Sequence, residues 1–285
     1  MKQAMFFEKI NNNKVHCQLC PHSCILSPNG IGVCRVRKNV DGQLYSLNYA
    51  CVASIALDPV EKKPLYHFNP GKLILSVGTF GCNFKCGYCQ NWSIAHRNAK
   101  TTALEPADLA DMALEYVSSG NIGVAYTYNE PSIWYEYVLE TARLVRERGL
   151  VNVLVTNGFI NAEPLETLLP FVDAMNIDVK AFTNSFYEKY CKGTLGDVMK
   201  TVERAAESCH VEITTLVIPG LNDSPDEIGK LAKWLSSISP DIVLHLSRFF
   251  PNYQMTDIPP TSAATLETAK KSALVYLNHV YLGNI

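Results

Sequence analysis

The chain has 285 residues, 47% of them hydrophobic and 18% charged, with a formal net charge of −2. That balance supplies a sizeable core and lacks the basic surface that a nucleic-acid polyanion requires. No run reaches the ~18 consecutive apolar residues of a membrane span, and the polar start Met1-Lys2-Gln3-Ala4 is not a secretory signal, so a cytoplasmic protein with neither nucleic-acid nor membrane partners is expected.

Residues 1–70 carry Pro21, Pro28, Pro59, Pro64 and Pro70, with turn signals at Asn29-Gly30 and Asp41-Gly42. They predict a loop-rich extension ending near Pro70-Gly71, followed by a second unit over 71–285. Half of the ten cysteines lie here: Cys17, Cys20, Cys24, Cys34 and Cys51. In a cytosolic chain such density points to metal or redox chemistry. Cys17, Cys20, Cys24 and Cys34 can close a tetrahedral zinc site or hold a second iron-sulfur cluster, with His16 or His22 able to replace a thiolate. Glu61-Lys62-Lys63-Pro64 and His67 lead onward to the first strand and read as a solvated charge run, with a place along the cavity as the alternative. Cys51, Cys191 and Cys209 read as lone buried thiols.

From residue 71 short apolar runs alternate with longer amphipathic ones. Strands are expected at 73–77, 122–127, 151–156, 174–179, 211–218 and 242–246, with a further one at 280–282. Helices are expected at 106–118, 133–148, 164–169, 195–207, 225–237 and 262–277. Strand followed by helix, repeated, predicts an α/β fold with a parallel sheet and right-handed crossovers. A complete eight-fold barrel takes ~250 residues, more than remain after residue 70, so a partial TIM-type (β/α)6 barrel fits better. Its chemistry would sit at the C-terminal strand ends.

The first of these ends carries Gly81-Cys82-Asn83-Phe84-Lys85-Cys86-Gly87-Tyr88-Cys89, a C-x-x-x-C-x-x-C run. Structural zinc sites usually close with four ligands, whereas a three-thiolate loop suits an iron-sulfur cube that keeps one iron free for a non-protein ligand. With this spacing after a first barrel strand, the chain resembles the radical S-adenosylmethionine (SAM) superfamily. The resemblance implies a [4Fe-4S] cluster on Cys82, Cys86 and Cys89, with SAM chelating the fourth iron. Reductive cleavage would then give methionine and a 5'-deoxyadenosyl radical that abstracts hydrogen from a substrate.

The other strand ends are similar to those of the glycyl-radical-enzyme activases. Asn129-Glu130 match the place of a short acidic motif that binds the methionine amino group. Thr156-Asn157-Gly158, Asp178-Val179-Lys180 and Val217-Ile218-Pro219-Gly220 follow in the same order as in those enzymes. By that likeness Asp178 and Lys180 face the SAM carboxylate and ribose, Val217, Ile218 and Gly220 border the adenine, and Tyr88 lies beside it. The chain departs at Thr214 and Phe250, where the activases carry an arginine for the carboxylate and a histidine for the ribose. His245 and Arg248 are candidate substrate contacts instead.

Over nearly its whole length the sequence resembles the radical SAM enzyme of the AmmeMemoRadiSam system. The segments that carry this likeness are Cys17 to Cys24, Ala56 to Phe68, Thr127 to Pro131 and His245 to Tyr253. It implies a small-molecule substrate, an electron donor such as flavodoxin or ferredoxin, and a Memo-type protein in the same pathway. Two other readings stand beside it: an activating enzyme that installs a glycyl radical on a partner protein, and a non-catalytic iron-sulfur or zinc electron-transfer module.

Overall fold

The computed structural model describes residues 1–97 and 99–285. Its framework is one eight-stranded sheet, formed by β1 (Ser54–Pro59), β2 (Leu73–Gly78), β3 (Asn121–Tyr126), β4 (Val151–Thr156), β5 (Ala174–Asp178), β6 (His210–Val217), β7 (Val243–Arg248) and β8 (Val280–Gly283). Spatial order follows chain order. Strands β2 to β8 run parallel to their neighbours, and β1 lies antiparallel on β2. Helices α1 (Pro106–Glu115), α2 (Tyr135–Glu147), α3 (Ala162–Leu168), α4 (Leu195–Ala206), α5 (Pro225–Ile238) and α6 (Ala263–Ala273) make the crossovers that parallel pairing demands. The strands are apolar on both faces. Ile74, Leu75 and Val77 of β2 are buried, as are Val124, Ala125 and Tyr126 of β3, because helices cover one side and the barrel interior the other.

This is the expected partial α/β barrel, with the seventh parallel strand realised at Val280–Gly283. Strand β1 was not anticipated. It draws residues ahead of the Pro70-Gly71 boundary into the barrel sheet, pairing Ser54 with Gly78 and Pro59 with Leu73.

The N-terminal residues contain more strand than their turn-rich composition suggested. Lys2–Gln3, Gln43–Ser46 and Arg37–Val40 form one antiparallel sheet, and Phe7–Ile10, Lys14–Cys17 and Ile25–Leu26 another. Residues in Lys14–Cys17 and Gln43–Ser46 alternate between buried and half-buried, which is the period-two pattern of a strand. Asn12-Asn13 and Asp41-Gly42 take positive φ at both positions and close their hairpins as type I′ turns do. A buried ion pair docks this unit on the barrel: Arg37 meets Glu136 of α2 at 2.6 Å, and Glu136 also accepts from the Met5 amide at 2.7 Å. Removing one partner of such a pair typically costs ~3–5 kcal/mol.

At the N-terminal end of the strands the loop between β1 and β2 closes the barrel. The Glu212 carboxylate of β6 is buried and accepts from the amides of Tyr66 and His67 at 3.0 and 2.7 Å. It also bonds His210 and His245 at 2.9 and 2.6 Å. Burial alone would raise this carboxyl, but the four contacts overcome it and hold the pKa down at about 2.

Candidate functional site

The opposite end of the sheet opens into a cavity of about 390 Å³. Its floor is the loop after β2, which carries Cys82, Cys86 and Cys89. Two glycines let this loop pack closely. A Cβ on Gly78 would stand 2.5 Å from the Thr127 carbonyl, and Gly81, with φ of 90°, would place one 2.7 Å from the carbonyl of Cys34. All three thiols line the cavity, together with Tyr88, Asn129, Glu130, Thr156, Asn157, Asp178 and Lys180. Side chains remote in sequence thus gather at successive strand ends, as barrel geometry requires.

Several of these residues hold the loop rather than face open space. Asn129 accepts from the Thr79 amide at 3.0 Å and donates to the Gly81 carbonyl at 2.9 Å. Asn157 donates to Asn83 at 2.9 Å and lies 3.8 Å from the Cys82 sulfur. The Asn83 amide in turn reaches the Phe159 carbonyl at 2.8 Å. Tyr128 turns the chain through a φ of 70°, a left-handed conformation costing on the order of 1 kcal/mol for such a residue. It is secured by its hydroxyl on Asp58 at 3.0 Å and by the Asn91 side chain on its carbonyl at 2.6 Å.

Glu130 is buried at the next position. One carboxylate oxygen accepts from the Ser132 amide and the Thr156 hydroxyl at 2.9 and 2.7 Å, and the other from the Asn157 amide at 2.7 Å. Burial nevertheless keeps its pKa above the ordinary carboxylate range, because all three donors are neutral. The second oxygen retains acceptor capacity toward the cavity. Asp178 and Lys180 pair at 2.6 Å. Burial would lower the Lys180 ammonium, yet Asp178 and the nearby Cys86 hold it above the usual lysine range.

The three thiols differ. Burial and the Glu130 charge push Cys82 up, and burial takes Cys89 up to about 11. Cys86 is held down by a hydrogen bond from Cys191, against its burial and with help from Lys180 and Tyr88. Cys191 was given no role from sequence. Its sulfur lies 3.3 Å from the Tyr88 hydroxyl, and its carbonyl accepts from the Lys85 amide at 2.9 Å, so it backs the cysteine loop from the helical segment Tyr187–Cys191 between β5 and α4. Nothing in its spacing could have disclosed that, since the contact arises from the turn after β5.

Other expected residues stand elsewhere. His245 sits mid-strand on β7 and is turned to Glu212, away from the cavity. Arg248 donates to the Thr261 carbonyl at 2.7 Å. Neither lines the cavity, so their place as substrate contacts is corrected to structural partners. Val217 and Ile218 are fully buried, Gly220 is exposed on the following loop, and none of the three lines the cavity. Thr214 does line it, its hydroxyl donating to Asn176 at 2.9 Å, whereas Phe250 is exposed. Lys63 was read as part of a solvated run. It is buried instead, bonded to Asp58 at 2.8 Å over the Tyr128 ring, and reaches the cavity.

Cys17, Cys20, Cys24 and Cys34 surround a separate cavity of about 10 Å³. Among the described residues no three His, Cys, Asp or Glu side chains stand at single-ion ligand spacing, and no helix is long and apolar enough to cross a membrane.

The family model described as "Radical SAM superfamily" matches residues 76–235. An uncharacterised protein of Methanocaldococcus jannaschii is 41% identical over 291 residues, covering 100% of this chain and 86% of that protein. The pyruvate formate-lyase-activating enzyme of Clostridium pasteurianum is 27% identical over 164 residues, covering 55% of this chain and 67% of that enzyme. In fold, the chain is similar to a radical SAM methyltransferase from Sphaerobacter thermophilus, with a TM-score of 0.59 at 16% identity, over 75% of this chain and 67% of that one. Since the matched segment spans more than half of the sequence and begins just ahead of the cysteine loop, this chain belongs to the radical SAM superfamily, enzymes built on a [4Fe-4S] cluster and SAM.

Proposed function

We propose that this chain reductively cleaves SAM and directs the resulting radical to a small-molecule substrate in the cavity at the C-terminal strand ends. The observation that carries this reading is the sharing of one cavity by three loop thiols, an under-compensated buried Glu130 and the Asp178–Lys180 pair. The donor set fits an iron-sulfur cube: thiols are the soft ligands such clusters take, and three of them leave one vertex to the cavity. A [4Fe-4S] cluster on Cys82, Cys86 and Cys89 supplies, when bound, the single electron that divides SAM into methionine and a 5'-deoxyadenosyl radical.

The remaining work belongs to the protein. In this reading Glu130 accepts from the SAM ammonium, whose positive charge would favour the ionised carboxylate that burial disfavours. Lys180 offers a cation to the SAM carboxylate, and Asp178 an acceptor to a ribose hydroxyl. Tyr88, Thr156 and Asn157 shape the wall between them. Asn129 braces the cysteine loop through Thr79 and Gly81, so its contribution is to position the loop. The buried rings of Phe84 and Tyr88 supply an apolar part of the cavity wall against which water would be excluded once SAM is bound.

The resemblance of Cys17 to Cys24, Ala56 to Phe68, Thr127 to Pro131 and His245 to Tyr253 to the radical SAM enzyme of the AmmeMemoRadiSam system favours that finer assignment, which would bring with it a Memo-type protein in the same pathway and a flavodoxin or ferredoxin as electron donor. Kinship with a pyruvate formate-lyase-activating enzyme favours a second reading, installation of a glycyl radical on a partner protein.

Anaerobic reconstitution with iron and sulfide, followed by dithionite and SAM, should yield 5'-deoxyadenosine, and Cys86→Ala should yield none. Product from the variant would overturn the ligand assignment. Deuterium transferred into deoxyadenosine from a labelled small molecule, and not from a labelled protein, would decide between the two readings.

A further inference from the structure

We propose that Lys63, with Lys62 beside it, holds an anionic group of the substrate, a carboxylate or a phosphate monoester, on the Tyr128 side of the main cavity. The inference rests on the reading of that cavity as the SAM site and adds the chemical class of the second molecule bound there.

Charge on the cavity wall is divided unevenly. Its carboxylate and ammonium side chains are Lys62, Lys63, Glu130, Asp178 and Lys180. In the proposed reaction Glu130, Asp178 and Lys180 take the ammonium, ribose and carboxylate of SAM, and Lys62 and Lys63 face neither. These two lysines share one carboxylate, that of Asp58, at 3.3 and 2.8 Å. Asp58 also accepts from the Tyr128 hydroxyl at 3.0 Å. Two ammonium charges are thus met by a single negative charge, on which a neutral donor converges as well.

The two buried lysines of the cavity differ accordingly. Lys180, with Asp178 and Cys86 close by, is held above the usual lysine range. Lys63 is 3% exposed, and burial takes its ammonium below that range although Asp58 opposes the shift. Burial would likewise raise Asp58, yet Lys63, Tyr128 and Lys62 hold it below the ordinary carboxylate range. What this cluster lacks is therefore negative charge. An ammonium carries three N–H donors, and among the described residues that of Lys63 makes one hydrogen bond, to Asp58. The Tyr128 ring, its centroid 5.0 Å from the nitrogen, packs against the same group. A buried cation with unused donors on a cavity wall is stabilised by an anion that arrives there.

The backbone fixes the arrangement. The Lys63 amide closes the turn Val60–Lys62 by donating to the Val60 carbonyl at 2.8 Å, and Asn176 of β5 donates to the Pro64 carbonyl at 2.8 Å. Val60 and Leu65 on either side are fully buried. Tyr128 and Glu130 follow one another at the end of β3, so the cation of Lys63 and the anion of Glu130 belong to one wall of the cavity. A substrate anion is drawn to the first and the SAM ammonium to the second, and opposite charges sort the two ligands into their places. A charged anchor also restricts how the substrate presents its C–H bond to the radical.

The test titrates the anaerobically reconstituted protein calorimetrically with benzoate and phenyl phosphate, and with benzamide and phenol as their neutral counterparts. At least one anion should bind roughly tenfold or more tightly than its counterpart, and the tighter anion identifies the substrate's group. Equal affinity for charged and neutral probes, or binding of none, would overturn the proposal. Lys63→Met keeps the apolar stem and removes the charge. It should weaken the preferred anion roughly tenfold or more and leave SAM affinity within about twofold. Undiminished anion binding would count against the subsite, and a parallel loss of SAM affinity would assign Lys63 to SAM and refute it. Asp58→Asn acts in the opposite direction, removing the carboxylate that competes for both lysines, and should tighten the anion roughly threefold or more. Should Lys63→Met fail to fold, this second variant decides: unchanged or weaker binding would sink the idea. Titrations without SAM keep the two readings apart. Anion preference in a protein that binds no SAM would support the subsite and count against the SAM reading, whereas SAM binding with no anion preference would do the reverse.

Discussion

Glu130 and Glu212 are two buried carboxylates at opposite ends of the same sheet, and their surroundings treat charge in opposite ways. Glu212 has two histidines and two backbone amides, and its pKa is held down at about 2. Glu130 has three neutral donors, and burial leaves it above the ordinary carboxylate range. The closed end has resolved its electrostatics within the chain. The open end has left a carboxylate short of positive charge, beside a cavity large enough for a ligand that brings one. Residual electrostatic demand therefore lies at the end of the barrel where the proposed chemistry would take place.

Substitutions should separate the two ends. Glu130→Gln sets an amide NH₂ against the donors of Asn157, Thr156 or Ser132 and removes the charge proposed to meet an ammonium. Losing a charge-assisted hydrogen bond of about 1.5–3 kcal/mol corresponds to SAM binding weakened roughly 10- to 100-fold. Isothermal titration of the reconstituted protein measures it, and unchanged affinity would remove Glu130 from the SAM site.

Glu212→Gln should act on stability alone. Its carboxyl falls from the ordinary value of 4.5 to about 2 on folding, a difference worth about 3 kcal/mol at neutral pH. Because the folded pKa is the lower one, this stabilisation is complete above pH ~4.5 and is lost as pH falls toward 2. Denaturant unfolding across that window should show the parent protein losing stability and the variant losing less. Deoxyadenosine formed per folded molecule should not change.

The smallest effect is expected from His67→Ala. The Glu212 carboxylate uses the His67 amide, while its ring bonds the Tyr281 hydroxyl at 2.8 Å in an exposed position. A cost within about 1 kcal/mol follows. A loss as large as that of Glu212→Gln would show that the ring itself holds the closed end together.

Much of the barrel is legible in the chain because parallel strands and crossover helices impose different periods on hydrophobicity. Val151–Thr156 lies where the pattern places it, and the other parallel strands deviate by a residue or two at their ends. The cysteine loop is legible for a different reason: its three thiols are local in sequence. His245 misleads because alternation shows that a strand residue points inward without showing at which level of the barrel it meets a partner. Its partner, Glu212, lies a layer nearer the N-terminal end, and the ring follows it. Cys191 reads only as a lone thiol and Lys63 as part of a charge run, since the contacts of Cys191 with the cysteine loop and of Lys63 with the cavity are made between segments far apart in sequence.

By itself, the order of residues determined the alternating architecture, the three-thiol loop at the end of the first parallel strand, and the strand-end motifs that follow. Local period and local spacing are sufficient for these. The folded chain alone decided which polar groups share a cavity, how differently the surroundings of Glu130 and Glu212 treat a buried carboxylate, and that the four N-terminal cysteines line one cavity. Those properties depend on distances between segments far apart in sequence, and on how completely each buried group finds a partner there.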